Sequence, residues 1–358
     1  MGQEAVSKDM SACSHGGVYS VDPALVRVDY SSSVNPLGTP KKAIAAIQRN
    51  AKSVAPMYPD PECKELKKSL SHYLHIDQEW ISVGNGAMEI IYWFAQALAK
   101  NRVVIPAPTF CEYELASHKA GAAITLVPLH DFKLDADEII EKAKGADAIF
   151  FCNPNNPTGM LATNEIKKII KNVDSSTKIL LDECFIELVD DPGANSMIGM
   201  IQELDNLVIL RSLTKSFGLA GLRVGYSVCN PSLAGKLANN KIPWNVNGLA
   251  QAAGVVALAD RKHLPRARAV IRKERKFLHN SIAKLKSFIP LKSDANYFLI
   301  ELKGRNSTQF RDALLKKTGM LVRDCSTFTG MGSQHVRVAV KTHSENLRLV
   351  RALEGFDG

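Results

Sequence analysis

Lys215 stands in Arg211-Ser212-Leu213-Thr214-Lys215-Ser216-Phe217-Gly218, with Gly221-Leu222-Arg223-Val224-Gly225-Tyr226 close behind. Upstream lie Asn153-Pro154-Asn155-Asn156-Pro157-Thr158-Gly159 and Ile179-Leu180-Leu181-Asp182-Glu183. These segments supply an amine, an acid closing an apolar run, an Asn-rich turn, and hydroxyls beside an arginine. An amine in a mostly desolvated place has a lowered pKa, so its neutral form can condense with an aldehyde to a Schiff base. A carboxylate facing a ring nitrogen keeps that nitrogen protonated, so electrons released at a substrate carbon can flow into the ring. Ser212, Thr214 and Arg223 have the chemistry of a phosphate cup. Gly84-Asn85-Gly86-Ala87-Met88-Glu89 can add backbone N–H groups to it, because it opens a helical run after strand-like Trp80-Ile81-Ser82-Val83.

Each part has an ordinary reading when taken alone. A lysine is usually a solvated charge, an Asp after a strand is often a turn residue or helix cap, and Asn, Pro and Gly are standard turn formers. All four parts in one order carry the argument. That order and spacing resemble the fold-type I pyridoxal 5'-phosphate enzymes of the aspartate aminotransferase superfamily, over nearly the whole chain. The resemblance implies an α/β fold with a large domain on a mainly parallel sheet and a smaller C-terminal α+β domain. It implies that Lys215 forms the Schiff base and returns a proton to Cα, that Asp182 pairs with the pyridine N–H, and that Asn156 bonds the ring's phenolic oxygen. Phe110 would stack on the cofactor, while Ser212, Thr214, Arg223, Gly86 and Ala87 would surround its phosphate. Tyr58 would reach the phosphate of a neighbouring subunit, which implies a homodimer. Arg337, in Val336-Arg337-Val338-Ala339, resembles the superfamily's carboxylate-binding arginine with its bidentate fork.

A narrower resemblance rests on His15-Gly16-Gly17, Asn35-Pro36-Leu37-Gly38, Tyr58-Pro59-Asp60 and Ile242-Pro243-Trp244-Asn245-Val246-Asn247. These look like the L-threonine-O-3-phosphate decarboxylases of cobalamin biosynthesis, close relatives of the histidinol-phosphate aminotransferases. Phe185, where the aminotransferases usually carry Tyr, leans the same way. The resemblance implies a carboxy-lyase that turns L-threonine O-3-phosphate, a phosphorylated amino acid, into (R)-1-aminopropan-2-ol O-2-phosphate and CO2. Histidinol-phosphate aminotransferase, in histidine biosynthesis, is the alternative. His15, Asn35 and Arg323 are the candidates for the substrate phosphate or for steering its carboxylate. Which arginine takes which anion stays open. Two departures from the family pattern are Cys184, where Ala is usual, and Asp324 beside Arg323.

Apolar runs alternating with amphipathic helices must position these residues, from Arg102-Val103-Val104-Ile105 through Leu207-Val208-Ile209-Leu210, which predicts a doubly covered parallel sheet. Asp182 then falls at the carboxyl end of a buried strand, where ligands of open α/β sheets collect. Helices over about 249–285 lead to strands at Tyr297–Ile300, Leu321–Arg323 and Val336–Val340, the smaller lobe. The expected division is an arm over 1–40 packing on the small lobe or a partner subunit, a cofactor domain over 41–255, and a small domain over 256–358.

At 358 residues the chain exceeds one ordinary core. The seven cysteines are scattered without a Cys-x-x-Cys pair, which predicts reduced thiols, a cytoplasmic location, and neither a disulfide framework nor a metal site. Residues 1–14 lack the apolar core of a secretory signal, and no run is long enough for a membrane span. The net charge of +9 is concentrated over 261–286, which reads as a solvated helix face rather than a nucleic-acid surface. The length leaves no room for a DNA-binding segment beside the enzyme fold, which argues against a regulator that binds the cofactor without turnover.

Overall fold

Uninterrupted apolar runs such as Ala148-Ile149-Phe150-Phe151 and Ile179-Leu180-Leu181 form strands buried on both faces, as parallel strands under two helical layers must be. The computed structural model describes residues 15–357. Residues 1–14 of the expected arm, and the expectation of no secretory signal there, lie outside the described residues. The first elements are β1 (Val28–Asp29), α1 (Lys41–Val54), α2 (Lys64–Leu74), β2 (Ile81–Gly84), α3 (Gly86–Leu98) and β3 (Arg102–Ala107). Then come α4 (Glu112–Lys119), β4 (Ala123–Pro128), α5 (Ala136–Lys142), β5 (Ala148–Cys152), α6 (Thr163–Asn172) and β6 (Lys178–Asp182). The short α7 (Pro192–Asn195) precedes β7 (Leu207–Ser212), α8 (Leu213–Ser216), β8 (Gly225–Cys229), α9 (Pro231–Ala238), α10 (Gly248–Ala259) and α11 (His263–Ile282). The chain closes with β9 (Phe288–Pro290), β10 (Tyr297–Leu302), α12 (Ser307–Thr318), β11 (Met320–Leu321), β12 (Arg323–Asp324), β13 (His335–Ala339) and α13 (His343–Glu354).

Seven strands form the large sheet in the order β2-β8-β7-β6-β5-β3-β4. Its strands run parallel except β8, which is antiparallel to both β7 and β2. The chain is thus an α/β fold with a mostly parallel central sheet and a smaller C-terminal domain. Some helices start where a side chain caps them. Asn247 accepts the N–H of Ala250 at α10, and Thr342 with Glu345 forms a capping box at α13.

The small sheet, β12-β13-β10-β9, is antiparallel. Helix α11 serves both cores: Leu264, Ala267 and Ile271 pack with the large sheet's cluster, while Leu278 and Ile282 pack with the small one's. No change of composition at 255–256 marks where one lobe ends. The stretch expected as one strand over Leu321–Arg323 is broken at Val322. Leu321 pairs with Asp29 of β1, whereas Arg323 pairs with Arg337 of β13. Tyr30 joins the small lobe's core, so the segment after β1 lies against that lobe.

Cys63, Cys152, Cys184, Cys229 and Cys325 are free thiols. Cys111 is disulfide-bonded, which corrects the expectation of wholly reduced cysteines. Separation along the chain carries no information about which sulfurs the fold brings together. No helix among the described residues is long and apolar enough to cross a membrane, and these residues hold no cluster of potential metal ligands.

Candidate active site

Gly225 is the register partner of Gly84 on one side and of Ser212 on the other, so three distant loops meet at one end of the large sheet. Ser212 caps α8 by accepting the Thr214 N–H at 3.2 Å, which sets the two hydroxyls 2.6 Å apart. Gly86 opens α3 at φ +76°, and a Cβ there would stand 2.5 Å from Arg223 Nη2. A Cβ on Gly225 would stand 2.6 Å from the Ala87 nitrogen. A side chain at Gly86 would press on the Arg223 guanidinium and one at Gly225 on the Ala87 backbone, and Arg223, Ala87 in the first turn of α3 and the two hydroxyls line one cavity. That set fits a phosphate.

Lys215 follows one helical turn from the Ser212 cap. Its Nζ lies 5.8 Å from the centre of the Phe185 ring. Burial pushes its pKa down to about 8, and the charge of Arg337 adds to the effect. Asp182 ends β6 as a buried carboxyl, which burial holds above the usual carboxylate range. The Tyr113 hydroxyl donates to its Oδ2 and the Cys184 N–H to its Oδ1, both at 2.8 Å, which fixes the plane of the acid. Phe110 lines the same cavity and meets Tyr113 edge-on, with ring centres 5.6 Å apart. Asn156 lines it too, and its Oδ1 accepts a hydrogen bond from Arg337 Nη1.

The opposite wall comes from the small lobe. Arg323 and Arg337 are cross-strand partners and both border the cavity of about 340 Å³. Arg337 is 7% exposed; its Nη2 donates to the Ser31 carbonyl at 2.8 Å and its plane lies 5.0 Å from the Tyr297 ring. Its acceptors are neutral, and its Nε has no partner. Burial pulls its pKa below the usual arginine value. Arg323 donates to Thr327 Oγ1 at 3.0 Å and sits 5.1 Å from the Phe328 ring centre. Burial, followed by the Arg337 charge, lowers its pKa to about 10. Asp324 acts on Arg323 through its charge, and its oxygens are taken by other groups. Strand alternation turns it away, where Ser307 Oγ, Thr308 Oγ1 and the Ser326 N–H donate to it at 2.7, 2.6 and 2.9 Å.

Of the residues expected from sequence, Lys215, Asp182, Asn156, Phe110, Ala87, Ser212, Thr214, Arg223, Arg323, Arg337 and His15 border this one cavity, with Gly86 directly behind Arg223. Two do not border it. Asn35 is buried elsewhere: its Nδ2 donates to the Ser216 carbonyl at 2.7 Å and lies 3.2 Å from His263 Nε2, while its Oδ1 accepts the Leu37 N–H. Its own N–H donates to the Lys215 carbonyl at 3.1 Å, so it braces the lysine loop from behind instead of facing substrate. Tyr58 is 82% exposed and rests on Trp244 on the outer surface. Sequence reasoning missed Tyr113, Glu112 and the Ser31-Ser32-Ser33 run. The three serines border the cavity, and the buried Ser33 Oγ has no partner. A triple serine beginning four residues before Asn35 was a visible signal; nothing local marked Tyr113 or Glu112.

The aminotransferase class I and II family model matches residues 27–353. A protein of Caldanaerobacter subterraneus subsp. tengcongensis named "Putative threonine-phosphate decarboxylase" is 34% identical over 353 residues, spanning 97% of this chain and 95% of that protein. A histidinol-phosphate aminotransferase of Symbiobacterium thermophilum is 35% identical over 336 residues, 92% of this chain and 91% of the relative. The crystal structure of histidinol-phosphate aminotransferase from Clostridium acetobutylicum superposes with a TM-score of 0.86 at 32% identity. It covers 92% of this chain and 99% of that one.

Proposed function

Because the chain belongs to the aminotransferase class I and II family and its cofactor is pyridoxal 5'-phosphate, we propose that it decarboxylates L-threonine O-3-phosphate. The products are (R)-1-aminopropan-2-ol O-2-phosphate and CO2, a step of cobalamin biosynthesis. The observation that carries the reading is the cross-strand pair Arg323 and Arg337. Two buried guanidiniums on one wall match a substrate that presents a phosphate and a carboxylate at once. The hydrogen-bond acceptors of Arg337 are both neutral, so a ligand anion offsets the cost of that desolvated charge.

The cofactor, when bound, supplies an electron sink for the bond that breaks at Cα. The residues of the chain do the rest. Ser212, Thr214, Arg223, Gly86 and Ala87 would hold its phosphate, Asp182 would keep a proton at its ring nitrogen, and Asn156 and Phe110 would hold the ring's edge and face. Arg337 orients the substrate carboxylate, which sets whether the bond to that group or the Cα hydrogen lies where it can break. Once CO2 has left, Lys215 Nζ delivers a proton to Cα; a pKa of about 8 suits an amine that must both donate and accept near neutrality.

Phe185 favours this reading over the aminotransferase. The ring beside Lys215 Nζ brings no hydroxyl to the cavity. Similarity to histidinol-phosphate aminotransferases supports a second reading, transfer from histidinol phosphate to 2-oxoglutarate. Histidinol phosphate has no carboxylate, so the two arginines would then serve two half-reactions in turn. A homodimer completes the proposal, with Met57, Tyr58, Ile242 and Trp244 as an exposed apolar patch suited to a second copy. A cytoplasmic location belongs to the same proposal: five cysteines are free thiols, although Cys111 is disulfide-bonded. Purified protein given O-phospho-L-threonine without any oxo acid is expected to release CO2 with repeated turnover. No CO2, together with 2-oxoglutarate-dependent consumption of histidinol phosphate, would replace this reading with the second.

A further inference from the structure

His15 borders the cavity from a stretch of chain without regular secondary structure, so its own backbone does little to hold the imidazole there. A carboxylate on another element engages it. Glu112, in the first turn of α4, is 5% exposed and has both oxygens engaged. His15 Nε2 lies 2.6 Å from its Oε1, and the Tyr92 hydroxyl donates to its Oε2 at 2.8 Å. Burial alone would raise the pKa of this acid, but the His15 and Tyr92 bonds outweigh it and hold the group below its usual value. The glycines beyond His15 permit the approach. A Cβ on Gly16 would stand 2.8 Å from the Ser31 carbonyl oxygen, and the Gly17 N–H donates to Ser31 Oγ at 2.7 Å. The same helical turn also reaches the small lobe's loop, where Thr329 Oγ1 donates to Glu114 Oε2 at 3.3 Å beside the cavity-lining Phe328. The start of α4 thus contacts both the His15 segment and the small lobe's loop at Thr329.

We propose that Glu112 is a positioning residue that holds His15 on the cavity wall, where it recognises the phosphate of the substrate together with Arg323. The inference rests on the phosphoamino-acid reading above. Charge distribution supports it. Arg223 lies with the cofactor-phosphate cradle, Lys215 serves the cofactor and Arg337 is reserved for the carboxylate, which leaves His15 and Arg323 among the cationic-capable side chains that line the cavity. Tyr92 acts one step further out, by fixing the carboxylate plane.

Ethanolamine phosphate and ethanolamine test this without turnover, since neither has a carboxylate to lose. Each is titrated into the holoenzyme, without oxo acid, and followed by the cofactor's absorbance. Wild-type protein is expected to bind the phosphorylated amine at least about tenfold more tightly. Glu112→Gln should reduce that preference about tenfold, with cofactor absorbance and Tm retained. His15→Gln should reduce it equally, and the double variant no further. Tyr92→Phe, which removes only the outer bond, should reduce it about threefold and serves if Glu112→Gln does not fold. An undiminished preference in Glu112→Gln, or in Tyr92→Phe where it must stand in, overturns the role of Glu112. So do full additive losses in the double variant, which mark a merely structural residue. A wild type with no preference overturns the phosphoamino-acid reading itself.

Discussion

At the carboxyl ends of β6 and β7, Asp182, Ser212 and Thr214 already have hydrogen-bond partners, whereas across the cavity Arg337 keeps a buried Nε without one. The cofactor side is thus assembled in advance: strand ends and helix caps fix each group through short-range bonds. The substrate side holds a desolvated guanidinium, Arg337, whose hydrogen-bond acceptors are neutral. A buried charge of this kind weakens the resting fold and strengthens the bound complex. One half of the cavity is preorganised by geometry, the other by an electrostatic deficit that its ligand relieves.

That contrast can be broken by substitution. Lys215→Ala should have the largest effect, a loss on the order of 10⁴-fold in kcat with the absorbance of lysine-bound cofactor abolished. Retention of either would remove Lys215 from the chemistry. Asp182→Asn should lower kcat about 10³-fold, because a neutral amide no longer holds the ring proton; steady-state rates on cofactor-saturated protein check this. Arg337→Met should raise KM about 100-fold while cofactor stays bound and Tm does not fall. A lower Tm, with cofactor lost, would show that this arginine belongs to the preassembled half. Gly225→Ala should weaken cofactor binding about tenfold, about 1.4 kcal/mol, because the new methyl meets the Ala87 amide; equilibrium dialysis measures it.

The smallest effect concerns pH. Lys215 titrates near 8 in the folded protein without cofactor, against about 10.4 in an unfolded chain. Between these values the unfolded state binds more protons, so raising the pH from about 8 to 10 should stabilise cofactor-free protein. Below about 8 this group adds no further slope. Urea midpoints of wild type and Lys215→Met across that range check the sign, since the variant should lack the rise.

The cofactor half was legible along the chain because its parts are local. Ser212, Thr214 and Lys215 lie within one helical turn, Asp182 closes its own apolar run, and Gly86 opens its own helix. Periodicity likewise placed β5, β6 and β7. The substrate half was less so. Asn35 carries the right chemistry and a suggestive position, yet its amide faces the Ser216 carbonyl and His263, 228 residues further on. Leu321–Arg323 looked like one strand, but two partners compete for it and break it at Val322.

By itself the sequence determined which groups are present and which short segments hold them, since caps, turns and apolar periodicity act over a few residues. Only the tertiary structure decided that Arg323 lies beside Arg337, that Asp324 faces away, and that Glu112 meets His15 across 97 residues. Those pairings depend on lobe packing and strand register, which no local pattern encodes.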